Sequence, residues 1–204
     1  MEERKTHWEN VFSTKQETEV SWYQTKPKTS LGFIHKLNIA KDAKIIDVGG
    51  GDSYFFDALL ELGYTNLHLL DISAKAIERI KNRLGVKASK VTFMVSDVLD
   101  FKPDTTFDFW HDRASFHFLT EENQIAKYAA LVNLAVADEG NLVIGTFSEN
   151  GPKKCSGLDI TQYSEAKMKV IFQNNFDLIQ SFTEDHKTPF DTIQNFIFCS
   201  FKKK

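Results

Sequence analysis

The sequence has few of the residues that build disulfide or metal scaffolds, and it lacks long apolar runs. Of its 204 residues, only 2 are cysteine and 4 are proline. Cys155 and Cys199 show neither CxxC spacing nor a neighbouring histidine cluster, which predicts reduced thiols rather than a disulfide framework or a zinc site. No stretch approaches the roughly 18 uninterrupted apolar residues of a membrane span, and "MEERKTHWEN" has no apolar signal core. We therefore expect a cytoplasmic protein with no membrane segment and no structural metal.

The chain also lacks an excess of positive charge. With 25 lysines and arginines against 28 aspartates and glutamates, the formal net charge is -3, which argues against nucleic acid or an anionic membrane as a partner. There is no internal repeat, low-complexity tract or linker rich in proline, glycine or serine. A hydrophobic content of 42% suffices for one sizeable core. We expect a single domain over residues 1–204, with residues 1–28 as an N-terminal extension or lid.

Apolar runs alternate with helical patterns along the middle of the chain. Five runs predict strands: "KIIDV" at 44–48, "LHLLD" at 67–71, "VTFMV" at 91–95, "FDFWH" at 107–111 and "NLVIGTF" at 141–147. Ser73 can cap a helix that Gly85 ends, and Thr120 can begin another that stops before Gly140. This alternation predicts an α/β fold of the Rossmann-like type, a mostly parallel sheet with helices on both faces.

The C-terminal part of the chain departs from the alternation. A helix is predicted in "SEAKMKVIFQNNF" at 164–176. Two apolar runs follow with no helix between them, "DLIQSFTEDH" and "QNFIFCSFKK", joined by a loop that contains Pro189. They predict an antiparallel hairpin at one edge of the sheet.

Three consecutive glycines, Gly49, Gly50 and Gly51, follow the first predicted strand. Ligands of open parallel sheets bind at the carboxyl ends of the strands, and glycine there permits a tight turn and a close approach to the backbone. The next strand ends in Asp71, 20 residues after Gly51 (71 − 51). A carboxylate at that position can accept hydrogen bonds from ribose hydroxyls. The pattern predicts a nucleoside ligand.

The charges beside the glycines discriminate between two nucleoside cofactors. A dinucleotide presents a pyrophosphate, but Tyr54 stands where its third glycine is expected and Asp52 would place a carboxylate beside the anion. S-adenosylmethionine carries a sulfonium and an ammonium, which Asp47 and Asp52 can face. Asp52 can equally act as a helix N-cap, with Ser53 as the competing cap. The sign of the charge favours S-adenosylmethionine.

A third acid follows the third predicted strand. Asp97 can accept a hydrogen bond from the adenine amino group, although taken alone it is equally a turn residue. Ile72 and Val98, each directly after such an acid, can sandwich the adenine ring. Three acids at three consecutive strand ends favour the cofactor interpretation.

With these residues, the sequence resembles the class I S-adenosylmethionine-dependent methyltransferases. Asp47, Gly49 and Gly51 match the D/E-x-G-x-G motif of that family, and Asp71 and Asp97 match its second and third acidic positions. The resemblance implies seven strands, with the last inserted antiparallel beside the fifth. The segments "HWENVFSTKQETEVSWYQ" and "HDRASFHFLT" look like a group of small bacterial methyltransferases. The N-terminal pattern is more loosely similar to protein-lysine methyltransferases.

Candidate acceptor residues lie in "HDRASFHF", where the fourth strand reaches the ligand end of the sheet. His111 and His117 are candidate bases near neutral pH, although His117 stands among phenylalanines, as a packed residue would. Arg113 can hold an anionic substrate, or it can form a structural ion pair with Asp112. In the long polar connection after the fifth strand, Cys155 is a candidate substrate contact with no neighbouring group to activate its thiol.

The N-terminal segment carries candidate lid residues. Trp22 and Tyr23 follow a polar stretch and can exclude water and present aromatic faces to the sulfonium. Trp8 and Phe12 stand at i, i+4 spacing and are interpreted as the buried face of an ordinary docked helix.

These features support methylation of a small molecule by in-line transfer from S-adenosylmethionine as the leading hypothesis. A protein-lysine N-methyltransferase, which needs a protein acceptor, is the alternative with the same chemistry. An NAD(P)-dependent oxidoreductase and a non-catalytic nucleoside-binding module are the alternatives of other classes.

Overall fold

A computed structural model describes residues 2–204 and contains a seven-stranded sheet together with a separate two-stranded ribbon. The strands are β1 (Ile45–Val48), β2 (Leu67–Asp71), β3 (Val91–Val95), β4 (Phe107–Arg113), β5 (Val136–Phe147), β6 (Lys154–Cys155), β7 (Leu158–Asp159), β8 (Phe176–Lys187) and β9 (Ile193–Lys203). The order in the main sheet is β3-β2-β1-β4-β5-β9-β8, and β6 pairs with β7 in the ribbon. Strands β1 to β5 are parallel, while β9 is antiparallel to both β5 and β8. The predicted fold class and terminal hairpin are confirmed.

Six α-helices accompany the sheet: α1 (Glu2–Thr14), α2 (Lys28–Lys36), α3 (Phe55–Glu61), α4 (Ala74–Leu84), α5 (Glu122–Ala135) and α6 (Glu165–Phe172). The predicted boundaries of α4 are confirmed. The Ser73 hydroxyl accepts a hydrogen bond from the Ala76 amide at 3.1 Å, and Gly85 ends the helix with a φ of 55°. Among residues 2–204, none of the helices combines the length and apolar character needed to cross a bilayer.

Several predicted boundaries differ from the structure, among them the end of β4, which runs two residues beyond His111. The residue that precedes helix α5 is Glu121 rather than Thr120. Strand β5 begins at Val136, ahead of the apolar run, because the buried Val136 already pairs with Phe107 of β4 before the register shifts. The exposed Asp138 and Glu139 lie in this irregular part and interrupt the apolar pattern. Helix α6 ends at Phe172 rather than at Phe176, since the asparagines that follow are weak helix formers and Phe176 already packs as the first residue of β8.

The sheet separates two apolar cores, which explains why its middle strands are apolar on both faces. On one face, β4 contributes Phe109 to a core shared with helices α2, α3 and α4. On the other face, Trp110 joins a core shared with α5 and α6. The alternation of side chains along β4 therefore continues to its carboxyl end, where His111 and Arg113 lie on the face of Phe109.

Candidate active site

The turn after β1 requires its glycines for two different reasons. Gly49 and Gly51 have φ values of 65° and 56°, in the left-handed region that side chains disfavour. Gly50 has an ordinary φ, but a Cβ there would collide with the carboxylate of Asp47. The turn thus exposes backbone without side chains to a cavity at the carboxyl ends of the strands, which Gly49, Gly50 and Gly51 line. It also leaves room for the Asp47 side chain beneath it.

Asp71 lies at the end of β2 and anchors this turn. Its carboxylate accepts hydrogen bonds from the Gly51 amide at 2.9 Å and from the Ser73 amide at 2.8 Å. Burial raises the pKa of Asp71 to about 7, although these two amide donors act to lower it. Asp71 lines the cavity, and each of its carboxylate oxygens can accept one more hydrogen bond there.

The predicted adenine-binding residues also line this cavity. Asp97 accepts a hydrogen bond from the Leu99 amide at 2.9 Å and pairs with the Arg4 guanidinium at 3.0 Å. Ile72 and Val98 contribute apolar walls. The structure therefore brings the three acids, the glycine turn and the two apolar residues to one cavity, as the sequence predicts.

Asp52 does not cap a helix. The residue preceding α3 is Tyr54, and the Asp52 carboxylate pairs instead with Arg79 of α4 at 3.2 Å. Burial raises the pKa of Asp52, while the hydrogen bond and charge of Arg79 act to lower it. The carboxylate still lines the cavity, but its charge is already partly compensated within the protein.

A buried hydrogen-bonded chain links Asp47, His111 and Ser30. Strand register pairs Asp47 of β1 directly with His111 of β4, and the Asp47 carboxylate lies 2.6 Å from His111 Nδ1. The other ring nitrogen, Nε2, lies 2.9 Å from the hydroxyl of Ser30, which helix α2 supplies. All three residues line the cavity. The carboxylate orients the imidazole, and the hydroxyl of Ser30 lies between the ring and the cavity.

Arg113 lies two residues beyond His111 on the same face of β4, and it also lines the cavity. Its guanidinium donates to the backbone carbonyl of Trp22 at 3.2 Å and lies 5.1 Å from the Phe196 ring centroid. The next residue, Ala114, has a φ of 66°, an uncommon value for a residue with a side chain. This turn ends the strand immediately after Arg113.

Asp112 and His117, two of the residues that the sequence suggested as contacts of the methyl acceptor, do not line this cavity. Asp112 points to the opposite face of β4, where it accepts hydrogen bonds from the Tyr128 hydroxyl at 2.7 Å and from the Phe116 amide at 3.0 Å. The predicted Asp112–Arg113 ion pair is absent among residues 2–204 because the two side chains lie on opposite faces. Asp112 is a structural residue of the second core.

His117 is fully buried beside Phe118 and Phe147 in a short 3-10 helix, and its side chain does not line the cavity. Burial lowers the pKa of His117 to about 3, so the ring stays neutral near pH 7. The structure therefore supports the packed interpretation of His117.

Cys155, a further candidate, does line the cavity from strand β6. Burial raises the pKa of its thiol to about 12, since the nearby Arg113 charge offsets only part of the desolvation. The thiol is therefore protonated at neutral pH and suits a contact role rather than a nucleophilic one.

Residues 2–24, which comprise helix α1 and the segment after it, contribute to the wall of the cavity and are called the lid below. Trp8 and Phe12 of α1 face the cavity together with Trp22 and Tyr23. The Trp8 and Trp22 rings meet edge to face at 5.7 Å between centroids. Trp22 and Tyr23 lie where the sequence predicts, whereas interpreting Trp8 and Phe12 as ordinary packing residues was incomplete.

Polar contacts hold the lid on helix α4. The Glu9 carboxylate accepts from the Ser73 hydroxyl at 2.8 Å and from the Ala74 and Lys75 amides at 2.8 and 3.0 Å. Burial acts to raise the pKa of Glu9, but these donors outweigh it and lower the pKa. Sequence reasoning missed three residues that contact the site, namely Glu9, Arg4 and Ser30. They belong to no motif, because their partners lie far away in the sequence.

The donor set of this cavity fits S-adenosylmethionine. Bare backbone between Gly49 and Gly51, an acceptor carboxylate at Asp71 and apolar walls suit a nucleoside, and the surrounding carboxylates suit its cationic groups. Residues 45–140 match a family model described as a methyltransferase domain. By this match, residues 45–140 form a methyltransferase domain.

Curated relatives of this methyltransferase are much longer proteins. The mouse eEF1A lysine and N-terminal methyltransferase is 28% identical over 121 residues, which cover 58% of this chain and 17% of the mouse protein. The human protein of the same name is 25% identical over 139 residues, covering 67% of this chain and 19% of the relative. The chain therefore spans less than a fifth of these relatives.

Solved structures share the whole fold of this methyltransferase at low sequence identity. One, from work on the conversion of a disulfide bond into a thioacetal group during echinomycin biosynthesis, has a TM-score of 0.79 at 16% identity and covers 98% of this chain and 93% of its own. The N-methyltransferase NodS from Bradyrhizobium japonicum WM9, in complex with S-adenosyl-L-homocysteine, has a TM-score of 0.73 at 13% identity and covers 96% and 97%. At these identities the likeness establishes the fold.

Proposed function

We propose that this methyltransferase methylates a small molecule enclosed between the ends of β4 and β5 and the lid. The observation that carries the proposal is that one cavity joins the cofactor residues to His111, Arg113 and Cys155 while the lid aromatics cover it. Its empty space is about 1260 Å³, including the part open to solvent. A covered cavity of this kind suits an acceptor that is enclosed together with the cofactor.

We call the part of the cavity lined by the glycine turn, Asp71, Ile72, Asp97 and Val98 the nucleoside half. Each of its residues has a role that its chemistry supports. Asp71 would accept hydrogen bonds from the ribose hydroxyls, and Asp97 would accept one from the adenine amino group between Ile72 and Val98. Asp47 would place negative charge near the cationic methionine end. When bound, S-adenosylmethionine supplies an electrophilic sulfonium methyl group for in-line transfer.

We call the part of the cavity lined by Ser30, His111, Arg113 and Trp22 the acceptor half, because we expect the methyl acceptor there. The Ser30–His111–Asp47 chain would take up a proton from the atom that is methylated. Asp47 holds His111 with Nδ1 as the donor, so Nε2 can accept the Ser30 proton while the Ser30 oxygen accepts one from the acceptor. Trp22 and the other lid aromatics would exclude water from this region. Positioning and proton acceptance are the contributions that this chain's own residues make.

Methylation of a protein lysine is a second candidate. The names of the curated relatives favour it, and the proton-accepting chain would also suit an ammonium that must lose a proton before it reacts. An acceptor lysine would have to pass beneath the lid, so this candidate requires a larger displacement of residues 2–24 than the small-molecule proposal does.

Ligand stabilisation and label transfer test these assignments. We expect S-adenosylmethionine and S-adenosylhomocysteine to raise the melting temperature, whereas NAD should not; the opposite result would contradict the cofactor assignment. Radiolabelled S-adenosylmethionine is then supplied with metabolite pools and, separately, with protein fractions. Label in small molecules supports the proposal, and label confined to protein supports lysine methylation instead.

A matched pair of histidine variants tests the proton-accepting chain. His111→Asn should reduce methyl transfer by about 100-fold through loss of the base, while S-adenosylhomocysteine affinity changes little. The control is His35→Asn, at an exposed histidine on α2. Equal transfer rates in the two variants would refute the role of His111.

A further inference from the structure

Arg113 has more hydrogen-bonding capacity than the protein uses. A guanidinium has five N–H donors, yet among residues 2–204 the only hydrogen bond that this one donates goes to the Trp22 carbonyl. No carboxylate of these residues lies within ion-pair distance of it. Glu184, the carboxylate with the largest effect on it, accepts hydrogen bonds from Thr29 at 2.7 Å. The remaining donors are therefore free to bind a ligand.

The surroundings of Arg113 suit a single negative charge. Burial lowers the pKa of Arg113 to about 10, with only partial compensation from Glu184, Asp47 and Cys155, so the group remains charged but poorly solvated. None of these neighbours is a cation, and a doubly charged phosphate would therefore face only one positive group. A carboxylate matches the planar fork of the guanidinium and its single charge.

The position of Arg113 separates it from the nucleoside half of the cavity. The strand order β3-β2-β1-β4-β5 places the acids of β2 and β3 on one side of β1 and Arg113 of β4 on the other. Arg113 pairs in register with Gly145 of β5, and its guanidinium lies over Phe196 of β9. These strands border the acceptor half.

We propose that the methyl acceptor is a small carboxylate whose anionic group binds Arg113 while its accepting atom faces His111 and Ser30. This inference rests on the proposed small-molecule activity and names its substrate class. Arg113 is a binding residue in this scheme. The aromatic side chains of Trp22 and Trp8, which line the same cavity, favour an acceptor with an apolar or planar body.

Fractionation of the metabolite pool before the reaction tests the substrate class. The pool is passed over an anion exchanger at neutral pH, and the bound and unbound fractions are each incubated with the full chain and radiolabelled S-adenosylmethionine. We expect label transfer with the bound fraction and little with the unbound one. Transfer confined to the unbound fraction would overturn the carboxylate assignment while leaving the small-molecule activity intact. Label found only in protein, or nowhere, would overturn both.

Three variants connect the result to Arg113. Arg113→Met should raise the KM for the active fraction by about tenfold or more through loss of a charge-assisted pair, and Arg113→Lys should retain part of the affinity. Lys154→Met is the control, because Lys154 is an exposed cation beside Cys155 that pairs with Asp159 outside the cavity. Equal KM values for Arg113→Met and Lys154→Met would refute the proposal.

Measurements of cofactor affinity test whether Arg113 binds the carboxylate of the methyl acceptor or the carboxylate of the cofactor. Binding of S-adenosylhomocysteine and of 5′-methylthioadenosine, which lacks the amino-acid part, is compared in the wild type and in Arg113→Met. We expect both affinities to be unchanged, which also shows that the variant is folded. A selective loss of S-adenosylhomocysteine affinity would assign Arg113 to the carboxylate of the cofactor and overturn the proposed acceptor contact.

Discussion

The two halves of the cavity are built in different ways. In the nucleoside half, the glycine turn, Asp71 and Asp97 follow three strands that are consecutive in the sequence and adjacent in the sheet. In the acceptor half, Trp22 comes from the lid, Ser30 from helix α2 and His111 from β4. Parallel strands bring their own ends together, whereas the acceptor half depends on long-range packing. The nucleoside half can therefore be inferred from the spacing of its residues in the sequence. The residues that α2 and the lid contribute to the acceptor half can change without altering the sheet.

The largest expected effect comes from removing the central acid of the nucleoside half. Asp71→Ala should weaken S-adenosylhomocysteine binding by about 100-fold, because it removes a charged ribose acceptor and releases the Gly51 and Ser73 amides. Isothermal calorimetry measures the affinity, with Asp138→Ala as the control at a side chain that is 91% exposed. If a folded Asp71→Ala protein binds as tightly as the control, the nucleoside half lies elsewhere.

A smaller effect is expected from pH, and it belongs to the same half. The pKa of Asp71 is raised to about 7 by burial, and ribose hydroxyls donate to the ionised form. Affinity for S-adenosylhomocysteine should thus rise several-fold as the pH increases from about 6 to 8, and Asp71→Asn should remove this dependence. In the unliganded protein the same raised pKa favours folding at low pH, and that contribution is lost as the pH rises through about 7. Identical pH profiles for wild type and variant would contradict this assignment.

The smallest expected effect concerns the lid, which spans both halves. Glu9→Gln weakens the hydrogen bonds that hold α1 to the start of α4, so S-adenosylhomocysteine should leave about twofold faster with little change in the sheet. Stopped-flow tryptophan fluorescence measures the release, since Trp8 and Trp22 line the cavity. Glu3→Gln, an exposed position on the same helix, is the control. Release at the control rate would show that this contact does not hold the lid closed.

The sheet and the nucleoside half could be predicted because their signals are local. Each main strand carries its own apolar run; Asp71 ends one of these runs, and Asp97 lies two residues after another. The ribbon of β6 and β7 was not predictable in this way, since two-residue strands have no periodicity.

The acceptor half was only partly predictable. His111 and Arg113 were found from their place after the fourth strand, but strand alternation would also have excluded Asp112, which faces the opposite core. His117 could not be separated from His111 by residue type, because the packing of His117 against Phe118 and Phe147 depends on contacts far apart in the sequence. Ser30 has no local signal at all, since only the packing of α2 brings it to the imidazole.

Strand β4 presents His111 and Arg113 to the cavity and Trp110 and Asp112 to the core behind it. A single-residue insertion or deletion within this strand would exchange the two sets, burying a cation among phenylalanines and tyrosine while directing an indole at the cofactor. Directed evolution toward new acceptors should therefore leave the length of this strand untouched and concentrate on the N-terminal lid and the β6–β7 ribbon, whose backbone can vary independently of the register.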